Sequence, residues 1–172
     1  IKKFTDFIFT HFDKNIYLSI LILFLLIFSI SYEVFQLNLI DFYTPPLYGG
    51  GDGILIFWFI KNIIKFGQIY TSNLSSAPTE FSMYDWPILA ENIQFLFFKI
   101  ISIFQKDIFH IYTYYYLLKF YIIGILSFFA FKTIKISNIT SIVFSILFVF
   151  SPIAFHRYLG HYFLGIYYAV PA

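Results

Sequence analysis

The stretch "NIYLSILILFLLIFSISYEVF", Asn15 to Phe35, limits what this chain can fold into more than any other feature. A helix needs about 20 predominantly apolar residues to cross roughly 30 Å of hydrocarbon. This run has that length, with Lys14 ahead of it and Glu33 near its end. In lipid the backbone must satisfy its own hydrogen bonds, so such a run is a helix. A second span is predicted over "IFHIYTYYYLLKFYIIGILSFFAF", Ile108 to Phe131, with Lys119 in its middle. A lysine at that depth must face the helix bundle or snorkel. The third is "ITSIVFSILFVFSPIAF", Ile139 to Phe155, which Pro152 kinks or ends. A fourth begins near Tyr162 and continues to Ala172. A cleaved signal peptide is the rival reading of the first run, since Lys2, Lys3 and Lys14 precede it and Ser29 and Ser31 mimic a cleavage site. The run is long for that role, and further spans follow it.

Composition supports the same class. The chain is 60% hydrophobic, 25% aromatic and 12% charged, against roughly 45–50% apolar and about 25% charged in soluble domains. A soluble fold of this length has no interior large enough for that apolar surface, so the lipid bilayer is the expected partner. Cysteine is absent, which excludes a disulfide framework and a thiolate metal site. A net charge of +2 is too small to imply nucleic acid. The chain opens on Ile1 and stops within the apolar pattern "YYAVPA", so it reads as the N-terminal part of a larger membrane protein.

Lysine placement sets the expected orientation. Lys2, Lys3 and Lys14 precede the first span, and "KTIKISN" between the second and third carries Lys132 and Lys135. Both segments are expected in the cytoplasm. The region 36–107 carries Asp41, Asp52, Glu80, Asp85, Glu91 and Asp107 against Lys61, Lys65, Lys99 and Lys106, and is expected outside. Within it, "ILIFWFIKNIIKF" (54–66) and "ENIQFLFFKIISIF" (91–104) are too short to span and read as helices lying in the interface. The turn-rich "GQIYTSNLSSAPTEFSMYDWP" between them reads as extended loop. The expected fold is all-α: a polytopic transmembrane helical bundle, one membrane domain over 1–172, with a long extracytoplasmic first loop containing short interfacial helices.

Three places in the outer segments carry chemistry. Asp52 sits in "PPLYGGGDG", where glycines allow a sharp turn and close approach. Its carboxylate can take a proton from a nucleophile or bind a cation, or it can simply cap the following helix. "GGGDG" lacks the Lys-Ser/Thr of a phosphate loop and the spacing of a dinucleotide fingerprint. Asp85 and Trp86 lie in "MYDWP", where ring faces beside a carboxylate suit a sugar; a plain surface turn is the other reading. "HRYLGHYF" supplies His156, Arg157 and His161. Arg157 is the chain's one arginine and its guanidinium can hold a phosphate by a bidentate fork. Interfacial anchoring explains the same segment equally well, and the five-residue spacing of the histidines does not make a helical zinc pair. His11 and His110 read as isolated structural residues.

In order, the first span, "YGGGDG" with a following apolar helix, "NLSSAPTEFSMYDWP" and "HRYLGHYFLGIYYAVP" resemble the N-terminal third of bacterial lipid-linked sugar transferases of the GT-C class. The resemblance covers the chain from about Tyr43 onward. It implies a polyprenyl-phosphate sugar as donor, a site on the outer face of the bacterial inner membrane, and an acid in the first outer loop acting as base or metal ligand. Asp52 matches that acid by position and is the expected catalytic residue. Asp85, Trp86, His156, Arg157 and His161 are the expected substrate-binding residues. A divalent cation is left open by this reading. A transporter or flippase segment, with Lys119 and the outer acids along a solute path, is the alternative, and a non-catalytic assembly subunit a third.

Overall fold

Asn15 starts the first helix because its side chain supplies what the helix end lacks. Its Oδ1 accepts from the Leu18 N–H at 3.1 Å, and its carbonyl accepts from the Ser19 hydroxyl at 3.0 Å. The computed structural model of the chain describes residues 15–39, 52–69, 71–72, 81–82 and 92–152. Among these, five helices follow in order: α1 (Ile16–Val34), α2 (Asp52–Phe66), α3 (Asn92–Phe104), α4 (Ile108–Thr133) and α5 (Asn138–Val149). Between α2 and α3 lies a two-residue antiparallel pairing, β1 (Thr71–Ser72) with β2 (Phe81–Ser82), in a region whose composition predicted extended loop. Two helices, α1 and α4, are long and apolar enough to cross a membrane. At 1.5 Å per residue α1 is about 28 Å long and α4 about 39 Å.

Two helix ends are closed by a left-handed residue that is not glycine. After α1, Gln36 takes φ +48°, its N–H bonds the Glu33 carbonyl at 3.3 Å, and the Leu37 N–H reaches back to Tyr32 at 3.0 Å. After α4, Lys135 takes φ +62°, with Lys135 N–H to Lys132 at 3.0 Å and Ile136 N–H to Phe131 at 3.2 Å. This paired pattern is the Schellman motif. It reverses the chain within four residues and delivers Ser137, whose hydroxyl accepts from the Thr140 N–H at 3.2 Å and so caps α5. The helix α5 covers Asn138–Val149 of the span predicted over 139–155. It closes ahead of Pro152, with Ser151 N–H bonded to the Phe148 carbonyl at 3.3 Å, because a proline disfavours helical backbone in the residue before it. Residues 153–155 and the predicted fourth span lie outside the described residues.

The chain divides into two compact units. Among the described residues, the first holds α1, α5 and α4 from Leu117 onward; the second holds α2, α3, the strand pair and α4 up to Tyr116.

In the first unit the helices meet at Gly124. A Cβ built there would lie 2.5 Å from Ile27 Cδ1 on α1 and 3.3 Å from Val149 Cγ2 on α5. Ring contacts give the directions: Phe120 meets Phe35 and Phe150, whereas Phe131, three turns on, meets Phe144. Both α1 and α5 therefore run antiparallel to α4. The start of α1 and the 134–137 link lie at the same end of this unit. Burial does not sort apolar from polar residues as it does in a water-soluble helix. On α1 the buried stripe is Ser19, Leu23, Ile27 and Ser31, while Leu21, Leu25, Phe28 and Val34 are exposed. On α5, Asn138, Ser141 and Ser145 are buried together with Ile142 and Val149, and Leu147 is 64% exposed.

The second unit is built on aromatic contacts. From α2, Ile56, Phe59, Ile60 and Ile63 form one buried stripe at helical spacing. Phe59 meets Phe95 of α3 edge-on at 5.1 Å, Phe57 meets Tyr112 of α4 at 5.5 Å, and Phe98 meets Tyr115 at 4.8 Å. The left-handed Gly67 ends α2, its N–H bonded to the Ile63 carbonyl at 2.9 Å.

Candidate functional site

Of the six residues that the sequence nominates, Asp52 is the one in a described element. It is the first residue of α2, so it occupies the turn whose free N–H groups carry the positive end of the helix dipole. Asp85, Trp86, His156, Arg157 and His161 lie outside the described residues.

The described polar interior is of two kinds. In the second unit, Asn62 of α2, Gln94 of α3 and Tyr112, Thr113 and Tyr115 of α4 are buried among the rings that hold the unit together. Both amide atoms of Gln94 and the Thr113 hydroxyl find no hydrogen-bond partner among the described residues, and an unsatisfied buried group costs about 1–3 kcal/mol. In the first unit, Lys119 is 2% exposed with its Nζ 5.0 Å from the centre of the Phe120 ring. The mid-span lysine thus faces protein, the first of the two options that its depth allowed. Ser31, Ser127, Ser141 and Ser145 are buried in the same unit without hydroxyl partners among the described residues.

Asp107 and His110 form a pair that sequence reasoning missed. Gln105 Oε1 accepts from the N–H groups of Lys106 and Asp107 at 2.8 and 3.1 Å, which fixes the link between α3 and α4. Asp107 Oδ1 then accepts from the N–H of Phe109 at 2.9 Å, the N–H of His110 at 3.0 Å and the His110 ring at 2.9 Å. Burial pushes the Asp107 carboxyl up, but the bonds from the His110 backbone and ring, the ring's charge and the Phe109 N–H outweigh it. The group is held below the usual carboxylate value. His110 is therefore structural, as expected, but not isolated. The signal was present: an acid just before an apolar run, with a donor three residues on, is an N-terminal cap.

Among the described residues no cluster of three or more histidine, aspartate or glutamate side chains gathers to hold a metal ion. Comparison of the chain with protein-family models, with curated proteins and with solved structures found no match.

Proposed function

We propose that the chain is the membrane-embedded N-terminal part of a glycosyltransferase that moves a sugar from a polyprenyl-phosphate donor to an acceptor at the outer membrane face. The membrane placement is supported by the many large apolar side chains that α1 and α5 expose and by the small polar residues they bury. Each large apolar side chain left exposed to water forgoes roughly 1.5–3 kcal/mol, and α1 alone exposes Leu21, Leu25, Phe28 and Val34. In lipid that penalty vanishes, and small polar residues become the natural helix–helix seam.

The observation that carries the transfer reading is the position of Asp52. The carboxyl-bearing residue of "GGGDG" heads α2, and a carboxylate there is of the chemical type that serves as general base. In the proposed reaction the acceptor oxygen attacks the anomeric carbon of the donor sugar and gives up its proton to Asp52. The bond from that carbon to the phosphate oxygen breaks, and the lipid phosphate leaves with the electron pair. Arg157 is assigned to hold that phosphate, His156 and His161 to line the same segment, and Asp85 with Trp86 to bind the sugar. The test is donor turnover by membranes containing the full-length protein, across a panel of polyprenyl-phosphate sugars. Appearance of free polyprenyl phosphate only with the protein present supports the reading, and its absence for every donor removes it.

A second reading is favoured by Lys119, buried in the middle of α4. In a transporter, a buried cation in a span marks the solute path. Solute flux lost in Lys119→Met, with no sugar transfer by the wild type, would favour it.

A further inference from the structure

The second unit contains a groove of about 190 Å³ between the end of α2 and the outer side of α3. Among the described residues its walls are Ile63, Ile69, Phe95 and Leu96, and its one charged residue is Lys99. The other polar side chain present, Gln68, is occupied: its amide nitrogen donates to the Thr71 carbonyl at 2.8 Å and its oxygen accepts from the Thr71 N–H at 3.0 Å. At Gly67 a Cβ would meet nothing within 4 Å, so the groove is open on that side. Among the described residues, a sugar would find mostly apolar walls. A hydrocarbon chain would find contact along its length.

Two surroundings of the groove name its occupant. Leu96 belongs both to the groove wall and to an exposed apolar row that continues through Ile100 and Ile103 to Phe104. Lys61, Lys65, Lys99 and Lys106 are all exposed, and none pairs with a carboxylate among the described residues. An apolar slot with a cation at its mouth, continuous with an apolar helix face, complements a molecule with a hydrocarbon tail and an anionic head.

We propose that this groove binds an anionic phospholipid of the surrounding bilayer, one acyl chain lying between α2 and α3 and the phosphate at Lys99. The inference rests on the membrane placement and is independent of sugar transfer. Lys61 stands two residues from Ile63 on α2, roughly 200° around the helix, and serves as a control lysine away from the groove.

The test is native mass spectrometry of the full-length protein purified in neutral detergent with equal amounts of phosphatidylglycerol and phosphatidylcholine. The expected result is preferential retention of phosphatidylglycerol. In Lys99→Gln that retention falls about fivefold, the worth of one lysine at an anionic surface, roughly 1 kcal/mol. In Leu96→Trp, which fills the slot and leaves the charge in place, it falls to the same extent. Lys61→Gln stays near wild type. Equal retention of the two lipids, or losses in Lys61→Gln as large as in Lys99→Gln, would overturn the proposal, because either result means diffuse attraction and no built site. Neither outcome bears on the donor-turnover assay, so failure here and failure of the transferase reading are separable.

Discussion

The packing at Gly124 yields the sharpest structural prediction. In Gly124→Ala the new methyl would sit 2.5 Å from Ile27 Cδ1, against an ordinary contact of 3.4 Å or more, and 3.3 Å from Val149 Cγ2. Ile27 and Val149 are both completely buried, and the clashing Cδ1 is the far end of a flexible side chain, so the clash is relieved by moving Ile27. Forcing Ile27 off its rotamer costs about 0.5–1.5 kcal/mol, and overpacking of this kind typically costs about 1–3 kcal/mol. Alanine returns about 1 kcal/mol in helix propensity. The single variant should therefore be destabilised by roughly 0–2 kcal/mol. Ile27→Val deletes the clashing atom and alone costs about 0.5–1.5 kcal/mol. In the double variant the alanine methyl occupies that space, so the two losses should not add. The expected coupling is a recovery of about 1–2 kcal/mol, measured as a double-mutant cycle by unfolding in mixed detergent micelles. Additivity within about 0.5 kcal/mol would mean that α1 and α4 do not approach as described.

Three further outcomes follow from local structure. Lys135→Gly removes the steric cost of a left-handed side-chain-bearing residue after α4 and should raise stability by roughly 0.5–1 kcal/mol, whereas Lys135→Val should lower it; thermal unfolding decides. Asp107→Ala should destabilise by about 1 kcal/mol through loss of the α4 cap. Because the folded-state carboxyl is held below its ordinary value, that contribution is full above about pH 4 and is lost as pH falls through the folded value, so the gap between wild type and Asp107→Ala should close in acid. The chain has no cysteine, so single cysteines at Ser75 and at the exposed Ile134 can report sidedness. An impermeant thiol reagent applied to intact cells should label the first and not the second, and equal labelling would refute the orientation drawn from the lysines.

The helices were legible where one physical signal dominated. The apolar run from Asn15 to Phe35 placed α1 within a residue of its ends, and the run around Lys119 placed α4 to within two. The short helices α2 and α3 were equally visible as apolar patterns too short to span. The turns were harder to read. Gln36 and Lys135 occupy positions at which glycine is the usual signal, and the tertiary fold overrides that local preference. The pairing of Thr71 with Ser82 joins residues from a polar stretch without alternation. The Asp107–His110 pair went unread because each residue was weighed alone. For the candidate site, the helix beginning at Asp52 was legible to within two residues, since both the capping and the catalytic readings called for a helix there.

The most direct test of the transfer mechanism is lipid-linked sugar transfer by the full-length protein carrying Asp52→Asn, with its thermal stability measured on the same sample. Asparagine caps a helix nearly as well as aspartate but cannot accept the acceptor's proton. The account predicts lost transfer with unchanged stability. Full transfer by Asp52→Asn would leave Asp52 an acid of the first turn of α2, with no more than a dipole interaction of about 0.3–1 kcal/mol to contribute, and contradict the mechanism.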